Sequence, residues 1–291
     1  ASVENDYNNT NDASDVYPVG TTTVTYTVTD LAGNTTSCSF NVTVTDDEAP
    51  VVTCPADQNV SADANCQFTV GTYTAMGSAT DNCDNSIDVA QSPAPGDIVS
   101  GTTTVTLTFT DDAGNSNSCN FDLIVVDNTD PVISSCAPNA TEFLNGSCEI
   151  ALPNYTALVN ADDNCDNDLS FTQSPAPGTI VSGHANIIPV TITVTDDNGN
   201  FVECSFNVTL EDNIDPSIVC NSDVNQTADP DQCQAAVSID PPLTNDNCAV
   251  DSIINDFNGS SDASDTYPVG TTTVTWTVTD IAGNTTSCSF D

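Results

Sequence analysis

The chain of 291 residues contains no lysine and no arginine. Against that absence stand 42 acidic residues and one histidine, for a formal charge of −42. With no cationic side chain, nothing can hold nucleic-acid phosphate or an anionic membrane surface. No apolar run approaches the length of a membrane span, and no signal peptide is visible. Helical periodicity is also missing from every ten-residue window. A low hydrophobic fraction with high net charge can signal disorder. Here a regular Thr/Val alternation and 13 cysteines argue for a folded chain.

What is present is repetition. "TVTDLAGNTTSCSF" (Thr27–Phe40) returns as "TVTDIAGNTTSCSF" (Thr277–Phe290), and Ala1–Asn41 matches Asp251–Asp291 at 30 of 41 positions. Related stretches lie between, at Thr108–Phe121 and Thr193–Phe206. A proline follows an acidic run at Pro50, Pro131 and Pro216, in steps of 81 and 85 residues. Such periods mean an array of small domains. The expected division is the C-terminal part of one repeat (1–49), complete repeats at 50–130 and 131–215, and a fourth at 216–291 lacking its C-terminal end. The near-identity across 250 positions implies a longer period of three domains within a larger protein.

Each full repeat carries four cysteines in the same order: Cys54, Cys66, Cys83, Cys119; Cys136, Cys148, Cys165, Cys204; Cys220, Cys233, Cys248, Cys288. No histidine accompanies them, which favours disulfides over zinc and an oxidising compartment. Cys38 is of the fourth type, and its partner is expected outside the fragment. Four cysteines allow three pairings, and spacing does not choose among them.

"TTTVTYTVTD" alternates with period two. Val24, Tyr26 and Val28 share one face, as do Val105, Leu107, Phe109; Val190, Ile192, Val194; and Val274, Trp276, Val278. This is a half-buried β-strand. A Gly-containing turn and a second alternating strand complete a hairpin. Upstream, "VVTC", "QNVSAD", "CQFTVGTY" and "SIDVAQSP" read as further short strands. The fold expected is all-β: tandem immunoglobulin-like or fibronectin-III-like sandwiches strung as an elongated rod. The first hairpin strand should be buried in every repeat, Tyr26 included.

One aspartate per repeat keeps the parity of the core face: Asp30, Asp111, Asp196, Asp280. A carboxylate aimed that way needs a partner. Two readings stand side by side. In the first, it caps the turn by accepting N–H groups of the following residues. In the second, it is a Ca²⁺ ligand, because three acidic segments meet at one end of such a sandwich and all-oxygen ligands suit Ca²⁺. In the second repeat those segments hold Asp46, Asp47 and Glu48; Asp81 and Asp84; and Asp111, Asp112 and Asn115. The candidate set recurs as Asp127, Asp163, Asp166 and Asp196. It returns as Asp212, Asp246 and Asp280, where Ala249 replaces one carboxylate, so this last site is expected to be the weakest.

Together "CPADQNVSADANC", "ATDNCDN", "SPAPG" and "VGTTTVTYTVTDLAGNTTSCSF" resemble the hyalin repeat (HYR) over nearly the whole chain. The resemblance implies an immunoglobulin-like extracellular module without catalysis. The acidic, Thr-rich, four-cysteine version looks like arrays in large Bacteroidota surface proteins, including gliding-motility adhesins. Two departures are visible: the total lack of Lys and Arg, and "SGHANIIPVT" where the other repeats read "GTTTVT". Relatives with only two cysteines keep the first and fourth types. The resemblance therefore favours Cys54–Cys119, Cys136–Cys204 and Cys220–Cys288, leaving Cys66–Cys83, Cys148–Cys165 and Cys233–Cys248. The runner-up pairs first with second and third with fourth.

The function expected is a structural or adhesive segment of a giant extracellular repeat protein, a stalk or surface filament. Its partners are neighbouring repeats, and surface polysaccharide or other cells. Calcium-dependent polysaccharide binding is the alternative, although Tyr7, Tyr17, Phe257 and Tyr267 define no platform. Ice binding by the Thr rows is a remote one. Catalysis is not expected: His184 has no counterpart in other repeats, and paired carboxylates of the kind that cleave glycosides recur at every turn. Direct membrane insertion and nucleic-acid binding are not expected.

Overall fold

The computed structural model describes all 291 residues. It is built of β-strands, with one 3₁₀ turn at Thr156–Leu158 and no α-helix. No helix is long and apolar enough to cross a membrane. The chain divides into two compact units, Ala1–Asn128 and Thr129–Asp291.

In the first unit, residues 50–128 form a sandwich. Thr102–Thr110 lies between Asp88–Ser92 and Ser116–Val126, antiparallel to both, and Gln58–Ser61 runs parallel to Ser116–Val126 on the outer edge. Opposite lie two short pairs, Val51–Thr53 with Ser78–Thr80 and Phe68–Thr69 with Ile98–Val99. The period-two pattern decides which side chains point inward. Val105, Leu107, Phe109, Phe121 and Leu123 are buried, with Val70 added from the other side.

The second unit holds two such sandwiches. Residues 140–143, 201–211, 187–195 and 170–174 repeat the same strand order around Val190, Ile192, Val194, Val208 and Leu210. In the last repeat Val274–Asp280 pairs with Val250–Asn255 and Thr285–Phe290 over Val274, Trp276, Ile239, Ala263 and Phe290.

The leading segment behaves differently. Ser2–Asn5, Gly20–Thr29 and Thr35–Val44 form a three-stranded sheet, but none of its residues joins a hydrophobic core. Val24 is buried, Tyr26 only half-buried and Val28 is 37% exposed. The expected burial of Tyr26 is therefore corrected: the strand parity holds, but no second sheet covers it.

Candidate metal centre

Asp30, Asp111, Asp196 and Asp280 share one local geometry. Oδ1 accepts the backbone N–H of the asparagine four residues on, at 2.8 Å, and Oδ2 accepts that asparagine's Nδ2. The glycine between them takes φ of +85°, +94°, +91° and +92°, a region open to Gly at little cost. The side-chain and backbone donors of Asn34 hold the Asp30 carboxyl below the usual range. Burial pulls Asp111 up, but Asn115 and the turn N–H groups outweigh it and leave it lowered. The cap is thus a property of the D-x-x-G-N turn.

At the last repeat this cap joins two other carboxylates. Asp212 follows the strand Phe201–Glu211, Asp246 follows Leu243–Asn245, and Asp280 ends Val274–Asp280. One oxygen from each lies within 4.8 Å of the others. Asp212 and Asp280 are 5% and 2% exposed. Asp212 Oδ1 accepts the Ile214 N–H and Asn247 Nδ2, and Asp246 Oδ2 accepts the N–H groups of Cys248 and Ala249. What remains is Asp212 Oδ2 and Asp246 Oδ1, both buried and without a donor. Like charges about 4 Å apart repel by roughly 1 kcal/mol in water and about 4 kcal/mol near a protein surface. No Lys or Arg exists to offset this. A hard, oxygen-seeking divalent cation such as Ca²⁺ fits such a donor set.

In the second repeat the cluster is more open. Asp46 and Asp81 approach Cys83 Sγ, and Asp111 is not part of the group. Asp81 Oδ1 accepts the N–H groups of Cys83 and Asp84. Burial, then the carboxylates of Asp46, Asp81, Glu48 and Asp111, push the Cys83 thiol above its usual pKa. Asp47 is exposed and outside the cluster. Asp127 is buried at the end of the first unit.

Asp84 and Asp166 have another task. Asp84 accepts the N–H groups of Ser86 and Asp112, and Asp166 those of Asp168 and Asp197. Each is a strut between the D-N-C loop and the hairpin turn. In the last repeat the Ala249 carbonyl accepts the Ile281 N–H instead. Ala249 therefore removes a strut and replaces it with backbone, so the reason for expecting the last site to be weakest disappears.

Reading residue types for charge named Asn115 but overlooked Asn247 and Asn284. Asn247 Nδ2 reaches Asp212 Oδ1 and the Asn145 carbonyl. Asn115 Nδ2 reaches the Asp46 carbonyl, and Asn284 Nδ2 the Asp212 carbonyl. They tie loop and turn to the inter-repeat linker. The recurrence of D-N-C and G-N in every full repeat was the available signal. His184 lies in a turn, and its Nδ1 accepts the Asp212 backbone N–H at 3.1 Å.

Cys54 joins Cys119, Cys136 joins Cys204 and Cys220 joins Cys288. The other expected bridges are corrected. Cys148 joins Cys248, with Cα atoms 4.7 Å apart, while Cys83 and Cys233 are free; Cys66 and Cys165 are each disulfide-bonded. Cys66–Cys83, Cys148–Cys165 and Cys233–Cys248 therefore do not form. The reason is distance. The Cys148 turn lies at the tail of its sandwich, beside Glu211, where Leu144 N–H bonds the Glu211 carbonyl. Cys165 lies at the head, in the loop braced to Asp197. The 11-residue strand between those ends spans about 33 Å, whereas a cystine needs Cα atoms within about 7 Å. Within the second unit, the tail of residues 131–215 and the head of residues 216–291 are close instead.

Fold and site define disulfide-bonded β-sandwich repeats with acidic heads, a type suited to oxidising surroundings. The HYR domain model matches residues 3–44, 45–125 and 211–291, and the chain belongs to that family. The unmatched stretch between folds with the same strand order. The chain is 32% identical to hyalin of Lytechinus variegatus over 290 residues, covering 94% of this chain and 52% of that protein. It is 31% identical to hyalin of Strongylocentrotus purpuratus, covering 93% of this chain and 23% of that one. The chain thus spans about half the length, or less, of these relatives. Drosophila N-cadherin EC1-4 aligns over 96% of this chain and 84% of its own at 12% identity, with a TM-score of 0.33. Family and cystines place the chain outside the cell or at its surface.

Proposed function

We propose that the chain is an adhesive or structural segment of a large extracellular repeat protein whose joints are locked by calcium and cystine. HYR membership and the likeness to hyalin support an extracellular adhesive module. The observation that carries the calcium reading is the Asp212–Asp246–Asp280 group, with its two buried donorless oxygens at the joint between repeats. Residues 131–215 and 216–291 are the repeats on either side. Asp212, Asp246 and Asp280 would supply carboxylate oxygens, while Asn247 and Asn284 hold the linker in place. Asp46 and Asp81 form a more open version at the head of residues 50–130. Calcium bound here cancels the repulsion of carboxylates on different segments, and so stiffens the joint. An array stiffened in this way suits a stalk or filament, including one used in gliding motility.

The test is calorimetric titration with calcium, together with melting in calcium and in chelator at fixed ionic strength. Bound metal and a raised midpoint are expected. No heat and an unchanged midpoint would reject the site and leave the four turn aspartates as caps. Polysaccharide binding draws less support, because Tyr7 stacks on Tyr17 and Phe257 on Tyr267, each at 4.3 Å, and these faces cover one another.

A further inference from the structure

The Cys148–Cys248 cystine and the Asp212–Asp246–Asp280 group lie on one joint inside the second unit, and they share the same short segments. Asp246 Oδ2 accepts the Cys248 N–H at 2.8 Å and the Ala249 N–H. Asn247 sits between the carboxylate and the cystine. Its Nδ2 donates to Asp212 Oδ1 and to the Asn145 carbonyl, and stands 3.6 Å from Cys248 Sγ. On the tail side, the Asn145 carbonyl also accepts the Cys148 N–H, and the Cys148 carbonyl accepts the Gly183 N–H. His184, next in the chain, accepts the Asp212 N–H. Each cysteine is therefore within a residue or two of a contact that orients a carboxylate.

The carboxylates also come from both sides of the joint. Asp212 follows the last strand of residues 131–215, whereas Asp246 and Asp280 belong to residues 216–291. The buried, donorless oxygens of Asp212 and Asp246 are the sign, beyond mere charge, that a cation belongs between them. Such a cation and the cystine close the same contact. Whichever link forms first bears the entropy of ordering these segments, and the second meets them already in place.

We propose that the Cys148–Cys248 staple is a redox gate on this calcium site: the intact bond holds the carboxylates together for calcium, and its reduction frees the joint and weakens binding. The gate rests on the calcium reading given above. The reductant is an external dithiol. One of its thiolates attacks a cystine sulfur and expels the other cysteine as a thiolate. Its second thiolate then displaces the remaining cysteine and closes the reductant's own disulfide. Two electrons pass to the cystine, and the two protons of the dithiol pass through solvent to the cysteine thiolates. Linkage makes the effect mutual. By whatever factor reduction weakens calcium binding, saturating calcium favours the bond.

The test uses the full chain in buffers of oxidised and reduced dithiothreitol at fixed ionic strength, with calcium and with chelator. Thiols are alkylated and mapped after non-tryptic digestion, so the potential of Cys148–Cys248 is read at its own residues. Calcium should make the bond at least tenfold harder to reduce, a fall in potential of about 30 mV or more. Asp280→Asn changes no residue of either cysteine turn and should abolish that fall. Calorimetry gives the second reading. The calcium uptake that Asp280→Asn removes from the parent should be at least tenfold weaker in the double variant Cys148→Ser, Cys248→Ser. If that variant does not fold, the potential of the parent bond decides alone. A potential unmoved while calcium is bound overturns the gate and leaves the calcium reading standing. A potential that rises with calcium, or a fall that survives Asp280→Asn, also overturns the gate. No calcium uptake by the oxidised parent overturns both.

Discussion

Residues 1–41 and 251–291 are nearly the same sentence in two settings. Their local structure is the same. Asn5 and Asn255 are both buried at 1% and turn their amides onto the same loop, reaching the carbonyls of Thr10 and Ser260. Tyr7–Tyr17 and Phe257–Tyr267 stack at the same distance. Asp30 and Asp280 accept the same three hydrogen bonds. Yet Val278 is fully buried where Val28 is 37% exposed, and Phe290 is 5% exposed where Phe40 is 45%. Strand, turn and cap arise from contacts a few residues apart. Burial arises from strands that only the second setting supplies, such as Ser217–Val219 and Gln234–Val237.

The sharpest way to break the comparison is to truncate the matched aromatics. Trp276→Ala should cost about 3–5 kcal/mol, the usual range for a fully buried aromatic, whereas Tyr26→Ala should cost less than about 1 kcal/mol. Urea unfolding of each variant against the parent reads the difference. Equal losses would mean that a second sheet also covers Tyr26.

The staple comes next. Cys148→Ser should lower the stability of the second unit by about 2–4 kcal/mol and leave residues 1–41 untouched, as hydrogen exchange would report. If protection were lost equally in both segments, the bond would not be local to its joint.

Calcium should separate the two aspartates. At a concentration one hundred times Kd, binding contributes about 2.7 kcal/mol. Asp280→Asn and Asp246→Asn should weaken calcium uptake at the last joint and reduce the calcium-dependent rise in melting midpoint. Asp30→Asn should not, because Asp30 belongs to no carboxylate group. A calcium response lost equally in Asp30→Asn would assign the metal to the turn itself.

The smallest effect is acid dependence at Asp30. Its folded carboxyl is depressed by Asn34, so its contribution is present above the unfolded value of about 3.9 and is lost as pH falls through the folded one. A carbon-detected titration should find its midpoint below that of an unfolded peptide. A midpoint at or above the peptide value would remove the cap's contribution.

Much of this molecule was legible from its residues. Period-two alternation predicted Val105, Leu107 and Phe109 facing inward, and they do. The D-x-x-G-N spacing offered a capped turn as one of two readings, and the cap forms because donor and acceptor are four residues apart and no distant element is needed. The acidic segments pointed toward one end of each sandwich, but their individual tasks did not follow from charge. Asp84 and Asp166 have the residue type of a ligand and serve as struts, because position relative to Asp112 and Asp197 decides what a carboxylate meets.

By itself, then, the sequence determined the strands, the turns, the repeat length and the inward parity, all set within a few residues by sterics and hydrogen bonding. Only the tertiary structure decided whether an inward-facing residue is buried, as Trp276 is and Tyr26 is not. It alone decided that Cys148 meets Cys248. The two ends of one sandwich are a strand's length apart, while the Cys148 turn of one repeat and the Cys248 loop of the next meet within the second unit. That distance belongs to the stacking of whole domains, and no local pattern encodes it.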